Sequence, residues 1–455
     1  VPVSAVYKVD RLVDEQNLGR FNLNLLIWSF LAMFCDGYDI AALSFANPEL
    51  IRTWGLEPAA MRLPLTASLF GIAIGAPLLG YMGDRWGRKT AVIAGCVIYG
   101  MFTLAIAWAT TPDQISLLRF LTGIGIGGLM PNTIALNSEL SPKRFRATLI
   151  VLMFTGITLG SASPGAITAW LAPAYGWPVY FYVGGVVPLL VAACLVFTLP
   201  ESIKFLTQRP ERRVELLRIA RALRRDLTLP DDAKFELTLE PHYGGAGLRD
   251  IFSGGLAFIT PLLWLCFATA LMVNYFLGSW MPLLFENNGF PPEQAALASS
   301  IYHIGGAMGG VLISVLIDRF GFFVVAALFV MACPTVALIG LESLSYEMVV
   351  LASVLAGVGV LGAQFGNNAS AGLLYPTSFR SKGTGWAFGV GRFGAICGPY
   401  IGGTLIGMNL SMQQLFLIGA IPLLIGVIAS ATLAWNCYRR FGGMQLDDKP
   451  AAARR

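Results

Sequence analysis

Apolar runs of 18 or more residues recur along the whole chain, and nothing else in the sequence limits its folding so severely. Each run is long enough to cross the ~30 Å hydrocarbon core of a bilayer as a helix. The runs are apolar on all sides, unlike the alternating ~10-residue strands of a membrane β-barrel. We place twelve spans, near residues 25–45, 61–83, 88–109, 115–137, 146–171, 179–199, 256–285, 294–318, 322–341, 347–373, 381–406 and 412–437. Composition agrees: 56% of the 455 residues are hydrophobic and 13% are charged, about half the charged share of an ordinary soluble domain. The fold class is an all-α membrane protein.

Charge sets the orientation. Of the 31 Lys and Arg, Arg119 and Arg392 fall inside spans and Arg52 and Arg62 lie on the connection between spans 1 and 2. The rest lie in the tails and in the loops that follow even-numbered spans, which places those segments in the cytoplasm. The net charge of +5 is thus a matter of topology and does not point to nucleic acid. Residues 1–20 carry Lys8, Arg11, Asp14 and Glu15 and read as a cytoplasmic tail without a cleavable signal. The seven Cys stand in or beside apolar runs at no metal-ligand spacing and read as small buried hydrophobes. No nucleophile–base set, metal cluster or glycine-rich nucleotide loop is present, so we expect no enzyme activity and no cofactor.

The chain repeats itself at one constant offset. Asp84-Arg85-Trp86-Gly87 recurs as Asp318-Arg319-Phe320-Gly321, Pro142 to Arg146 as Pro376 to Arg380, and Gly123 and Gly128 as Gly357 and Gly362. Two homologous six-helix bundles follow, over 25–199 and 256–437. The central loop 200–255 joins them, and tails cover 1–24 and 438–455. Within that loop Arg209–Arg225 reads as a surface helix. Its basic residues set topology or touch anionic lipid.

Carboxylates inside an apolar helix require a cation, water or a proton. Span 1 holds Asp36-Gly37-Tyr38-Asp39. The two acids are three residues apart and share a helix face. Arg119, in span 4, cannot deprotonate. Counted at ~1.5 Å per residue, Asp39 and Arg119 both lie ~6–9 Å below the outer boundary. They can pair, or Arg119 can snorkel to the headgroups. If they pair, Asp36 is the freer acid, able to bind and release a proton.

Arg392 is ~16 Å into span 11, near mid-depth, and no acid lies at that depth in the second half. Its planar guanidinium suits a bound carboxylate; pairing with a span 1 acid is the other reading. His303, mid-depth in span 8, either meets the ligand or packs. Gln364, Asn367 and Asn368 stack in span 10 and bond either a ligand or a neighbouring helix. Asn274, Tyr275 and Trp280, together with Tyr38, offer aromatic and polar faces.

After span 2 stands Gly80-Tyr81-Met82-Gly83-Asp84-Arg85-Trp86-Gly87-Arg88-Lys89. It resembles the loop 2–3 signature of the major facilitator superfamily. The resemblance implies two pseudo-symmetric six-helix bundles, alternating access, and a gating role for Gly80, Asp84, Arg85, Gly87, Arg88 and Lys89. Glycines 80 and 83 are expected to let helices approach closely. The second copy, with Asp318 and Arg319, lacks the basic pair, so its latch should be weaker. Glu139, Arg144, Arg146 and Arg380, at the inner ends of spans, read as the same gate's charge network.

Asp36-Gly37-Tyr38-Asp39, with Gly389-Val390-Gly391-Arg392-Phe393-Gly394 and Gly398-Pro399 in span 11, is similar to the aromatic acid:H+ symporters within that superfamily. The resemblance implies a multi-pass protein of the bacterial inner membrane, with both termini cytoplasmic and acting as a monomer. It would import small aromatic carboxylates such as hydroxybenzoates together with protons. Asp36, Asp39 and Arg119 would couple the proton. Arg392 would meet the substrate, and from their depth and chemistry alone His303, Tyr38, Gln364, Asn367, Asn274 and Trp280 join it as candidates. Other organic anions or sugars, and a sensor that binds without transport, are the competing readings.

Overall fold

The computed structural model describes residues 6–227, 229–237, 251–252, 256–341, 343–375 and 380–441, apart from the side chains of Ala147, Asp318, Arg380, Ser381, Arg440 and Phe441. Expectations for the rest of the central loop, for the C-terminal tail beyond 441 and for the side chains of Asp318 and Arg380 lie outside the described residues.

The chain is almost wholly helical. Span 1 is Arg20–Trp54, span 2 Arg62–Trp86, span 3 Arg88–Ile106 and span 6 Pro178–Thr198. Span 4 is Pro112–Gly127 continued by Leu129–Leu140, and span 5 is Lys143–Ala162 continued by Pro164–Trp170. Spans 7 to 12 are Leu256–Asn287, Pro292–Phe320, Phe322–Ile339, Tyr346–Leu374, Arg380–Gly407 and Met412–Phe441. Ten of the described helical segments are long and apolar enough to cross a membrane unaided. The other two are span 4, broken at Gly128, and the glycine-rich span 11. Glycine lowers the hydropathy of both, while packing still holds them as helices.

Span 1 runs well past the end of its apolar stretch at 45, through Pro48 to Trp54. The polar residues that suggest a boundary there are packed inside: Ser44 and Asn47 are buried. The N-terminal tail is structured from Val6 onward. Strand Val6–Lys8 pairs in parallel with Lys234–Glu236, Val6 opposite Lys234, and helix Val9–Asp14 buries Val9, Leu12 and Val13. The surface helix expected over 209–225 forms as Arg213–Leu223 and buries Leu216, Leu217 and Leu223.

The chain divides into two compact units. One comprises Val1–Ile40, Phe70–Gly160 and Phe181–His242; the other comprises Ala41–Leu69, Ser161–Tyr180 and Tyr243–Arg455. The C-terminal end of span 1 and the adjoining parts of spans 2, 5 and 6 thus cluster with the second half of the chain.

In the first unit, span 1 crosses span 5 with almost no separation. A Cβ on Gly37 would stand 2.0 Å from the Ile157 carbonyl oxygen, so only glycine permits the crossing. From the other side Gly160 meets the Phe34 carbonyl in the same way. In the second unit Gly394 and Gly398 bring span 11 against the carbonyls of Ala268 and Met272 in span 7. Gly391, Gly394 and Gly398 around Arg392 therefore have a packing reason, whereas Gly389 meets nothing within 4 Å.

Gly80 does not fill the role expected of it, since nothing stands within 4 Å of where its Cβ would be. Gly83 is the close contact, against the Asn132 side chain. Gly37→Ala should therefore lower the thermal unfolding temperature in detergent, at an overpacking cost of about 1–3 kcal/mol or more. Gly80→Ala should be neutral or stabilising by up to about 1 kcal/mol, because it adds helix propensity in open space. Equal melting of the two variants would contradict this assignment.

Candidate functional site

Arg119 and Asp39 form the most deeply buried ion pair among the described residues. Arg119 Nη1 stands 2.6 Å from Asp39 Oδ2, with side-chain exposures of 2% and 0%. The same nitrogen donates to the Asp39 backbone carbonyl at 3.0 Å. The other carboxylate oxygen, Oδ1, accepts from Thr103 Oγ1 at 2.5 Å, and Thr103 lies 3.5 Å from Thr122 Oγ1. Span 1 thus supplies the acid, span 4 the cation and span 3 a hydroxyl. Snorkelling is excluded for Arg119, which is fully buried.

Asp36 lies one turn before Asp39 and is buried. Tyr99 of span 3 is within coulombic reach of both acids. Tyr38 is buried with its ring edge against Gly184 of span 6. It packs between helices and does not present an open aromatic face.

In the second unit, Arg392 is half-buried, and among the described residues no hydrogen bond or ion pair joins it to a partner. His303 is buried; its ring meets that of Tyr302 edge-on at 5.2 Å between centroids. Asn274 Oδ1 accepts from the Tyr302 hydroxyl at 3.0 Å, so spans 7 and 8 are joined there. Trp280 departs from the expected aromatic face. It is fully buried, donates from Nε1 to the Pro399 carbonyl at 3.0 Å and packs against Gly402 and Gly403. It therefore belongs to the crossing of spans 7 and 11. Gln364 donates to Asn368 Oδ1 at 3.1 Å within span 10. Both amide atoms of Asn367 are buried without a described partner.

Apart from Gly80, most of the loop 2–3 motif is engaged. Asp84 pairs with Arg88 at 2.6 Å, and Arg85 donates to the Tyr81 hydroxyl at 2.9 Å. Lys89 Nζ donates to the Val196 carbonyl at 2.6 Å. Gly87 has φ +108°, and the Glu201 carboxylate occupies the space a Cβ would need. Glu201 accepts from the backbone N–H groups of Lys89 and Ser202. Burial pushes its carboxyl pKa above the ordinary glutamate value, opposed by those two N–H groups and by the charge of Arg212. Glu139 accepts from the Ser202 hydroxyl. Arg144 donates to the Gln16 carbonyl at 3.2 Å. Arg146 lies 3.8 Å from Asp14. The charges expected to form an inner gate thus grip the N-terminal tail and the start of the central loop. Arg319, of the second motif copy, stacks its guanidinium 5.3 Å from the Phe320 ring centroid.

At the opposite ends of the spans, within the second unit, Arg52 pairs with Glu286. The Arg62 guanidinium stands 5.3 Å from the Tyr400 ring centroid. A Cβ on Gly165 of span 5 would fall 2.0 Å from Ser300 Oγ of span 8. Spans 1, 2 and 5 close tightly there on spans 7, 11 and 8.

Sequence reasoning missed Thr103, Tyr302, Glu201 and the Arg52–Glu286 pair. Thr103 left no signal, because a threonine in an apolar helix ordinarily bonds its own backbone. Glu201 had one: it is an acid directly after a span, in Pro200-Glu201-Ser202.

A family model described as Major Facilitator Superfamily matches residues 29–333 and 263–440. The 4-hydroxybenzoate transporter PcaK of Pseudomonas putida is 36% identical over 434 residues, 94% of this chain and 96% of that protein. The gallate transporter of the same species is 34% identical, over 94% of this chain and 95% of its own length. A benzoate transport protein of Acinetobacter baylyi is 30% identical, over 94% and 92% respectively. Among solved structures, the D-xylose-proton symporter superposes with a TM-score of 0.68 at 18% identity, covering 90% of this chain and 97% of that one. A bacterial homolog of the human lysosomal transporter Spinster, inward-facing and unoccupied, gives 0.68 at 17%, covering 95% and 100%. These two show likeness of fold alone.

Removing one member of a buried ion pair leaves the other uncompensated, at about 3–5 kcal/mol. Arg119→Gln should therefore destabilise the protein by about that much, and Asp39→Asn combined with Arg119→Gln by clearly less. A double-mutant cycle on thermal unfolding in detergent measures the coupling; additive effects would mean that the pair does not act as one.

Proposed function

Because the chain belongs to the Major Facilitator Superfamily and to its aromatic-acid transporters, we propose that it imports a small aromatic carboxylate of the hydroxybenzoate kind together with protons. It is a multi-pass membrane transporter and not an enzyme. The observation that carries the substrate class is the end-to-end likeness to transporters named for 4-hydroxybenzoate, gallate and benzoate. Benzoate is the element these substrates share: a ring and one carboxylate.

The chemistry of the two units supports that reading. Arg392 offers a planar pair of donors with no protein acceptor among the described residues, as a carboxylate ligand needs. His303, Asn274 and the amides of Gln364 and Asn367 supply polar groups for ring hydroxyls. Asp36 and Asp39 are buried acids in a membrane helix and carry the proton, with Arg119 setting the charge beside them. A sugar porter needs no guanidinium at the position of Arg392.

Alternating access follows from the fold. The Arg52–Glu286 pair and the Arg62–Tyr400 stack hold the outer side shut. The Gly87–Glu201 contact and the Asp84–Arg88 pair belong to the inner side. The protein acts as a monomer in the bacterial inner membrane, with both termini in the cytoplasm.

Uptake of labelled 4-hydroxybenzoate by whole cells, with and without a protonophore, tests the reading. Protonophore-sensitive accumulation is expected; accumulation that ignores the protonophore would sink proton symport. Binding without accumulation would favour a sensor. Asp36→Asn should abolish accumulation yet retain exchange of labelled for unlabelled substrate. Arg392→Lys should raise KM by about tenfold to a hundredfold, since one point charge replaces a bidentate fork.

A further inference from the structure

The hydroxyl of Thr103 is placed where no charge requirement alone would put it. Asp39 is already neutralised by Arg119 at 2.6 Å, yet Thr103 occupies its second oxygen at 2.5 Å. Behind Thr103, at 3.5 Å, stands a second hydroxyl, that of Thr122. Both threonines are fully buried. Span 4 therefore reaches Asp39 twice, directly through Arg119 and indirectly through Thr122 and Thr103.

A hydroxyl both donates and accepts, and its hydrogen can rotate to suit its neighbours. With Asp39 ionised, Thr103 donates to the carboxylate and accepts from Thr122. With Asp39 protonated, the new carboxyl O–H becomes a donor that needs an acceptor in a site without bulk water. An unsatisfied buried donor is heavily disfavoured. Thr103 can supply the acceptor by turning its own hydrogen to Thr122. The hydrogen-bond chain then runs from Asp39 to Thr103 to Thr122, reversed. Arg119 has no such freedom, because a guanidinium only donates.

We propose that Thr103 and Thr122 form a reversible hydroxyl relay that lets the buried Asp39 take up and lose the transported proton. Both are positioning residues acting through Asp39. The inference rests on the proton-coupled reading above. The proton arrives from water in the transport pathway and leaves to water on the other side, and no other bond is made or broken. Of the titratable and charged groups nearby, Arg119 on span 4 contacts Asp39, Asp36 lies one turn away on its own helix, and Tyr99 on span 3 lies within reach of both acids and of Cys35 and Cys96. Among the described hydrogen bonds, the one from Thr103 is the only one that reaches Asp39 Oδ1.

The test uses the purified full-length protein in proteoliposomes with labelled 4-hydroxybenzoate. Three variants are compared with the wild type: Thr103→Val, Thr103→Ser and Thr122→Val. Thr103→Val should lower accumulation driven by an inward proton gradient by about tenfold or more, the usual effect of a buried donor without an acceptor, and should shift its pH profile. Thr103→Ser, which keeps the hydroxyl, should restore both to within about twofold. Thr122→Val leaves the direct Thr103–Asp39 bond in place and removes the hydroxyl that Thr103 accepts from in one state and must donate to in the other. It should depress proton-driven accumulation more than substrate exchange.

A wild-type pH profile in Thr103→Val, or a serine variant no better than valine, would overturn the relay. Equal loss of accumulation and exchange in Thr122→Val would do the same. Thermal unfolding in detergent as a function of pH needs no substrate. The difference between wild type and Thr122→Val should vary with pH, because Thr122 touches Asp39 only through Thr103, whereas a purely structural Thr122 would give a constant difference. If the wild type itself fails to accumulate 4-hydroxybenzoate, the proposed function falls, and the unfolding comparison still decides the relay. Should Thr103→Val not fold, the serine and Thr122 variants carry the decision.

Discussion

A carboxylate and a guanidinium stand in contact with no exposure to solvent, and the first six spans are arranged around that fact. Two charges removed from water repay their desolvation only when geometry is close and the remaining lone pairs are filled. Here Arg119 meets both the side chain and the backbone of Asp39, and Thr103 fills the second carboxylate oxygen. Such closeness demands that spans 1, 3 and 4 be held at fixed separations. The glycine crossing of spans 1 and 5 at Gly37 helps hold span 1 in place, since any side chain there would push the helices apart. Charge burial and glycine placement are one constraint seen from two sides.

The second half of the chain does not repeat this device. Moving along by the repeat offset takes Asp39 to Val273, Arg119 to Ser353 and Thr103 to Ala337. Arg392 in turn corresponds to Thr158. The bundles therefore share a backbone plan and differ in chemistry, with buried acids in one and the half-buried arginine in the other. The offset returns at Arg52 and Glu286, which are 234 residues apart, the separation of Asp84 from Asp318. A residue thus touches its own repeat mate there.

Much of the architecture is legible in the sequence, because a bilayer leaves few solutions. Apolar runs give the helices, and a constant offset gives the two bundles. The Asp39–Arg119 pair is legible for the same reason: two opposite charges at one depth in apolar helices have few partners. What the sequence hides depends on facing rather than on depth. Trp280 reads as an open aromatic face and instead locks spans 7 and 11, because helical rotation is set by the glycines of the neighbouring helix. Span 1 reads as too short, since buried Asn47 looks like a boundary until its packing is known. Gly80 and Gly83 look alike in the motif, yet only Gly83 meets a neighbour. Glu201 and Gly87 are far apart in sequence, and only the fold shows that one fills the space the other leaves.

The parallel pairing of Val6–Lys8 with Lys234–Glu236 bears on how the protein is made. The first strand leaves the ribosome before its partner, which follows only after six further spans have been synthesised. Helix Val9–Asp14 and the ion pairs of Asp14 with Lys143 and Arg146 are available earlier, once span 5 begins. That face of the first bundle is thus fastened in two stages as synthesis proceeds, and the last fastening marks the point at which that bundle is complete and the second has yet to begin.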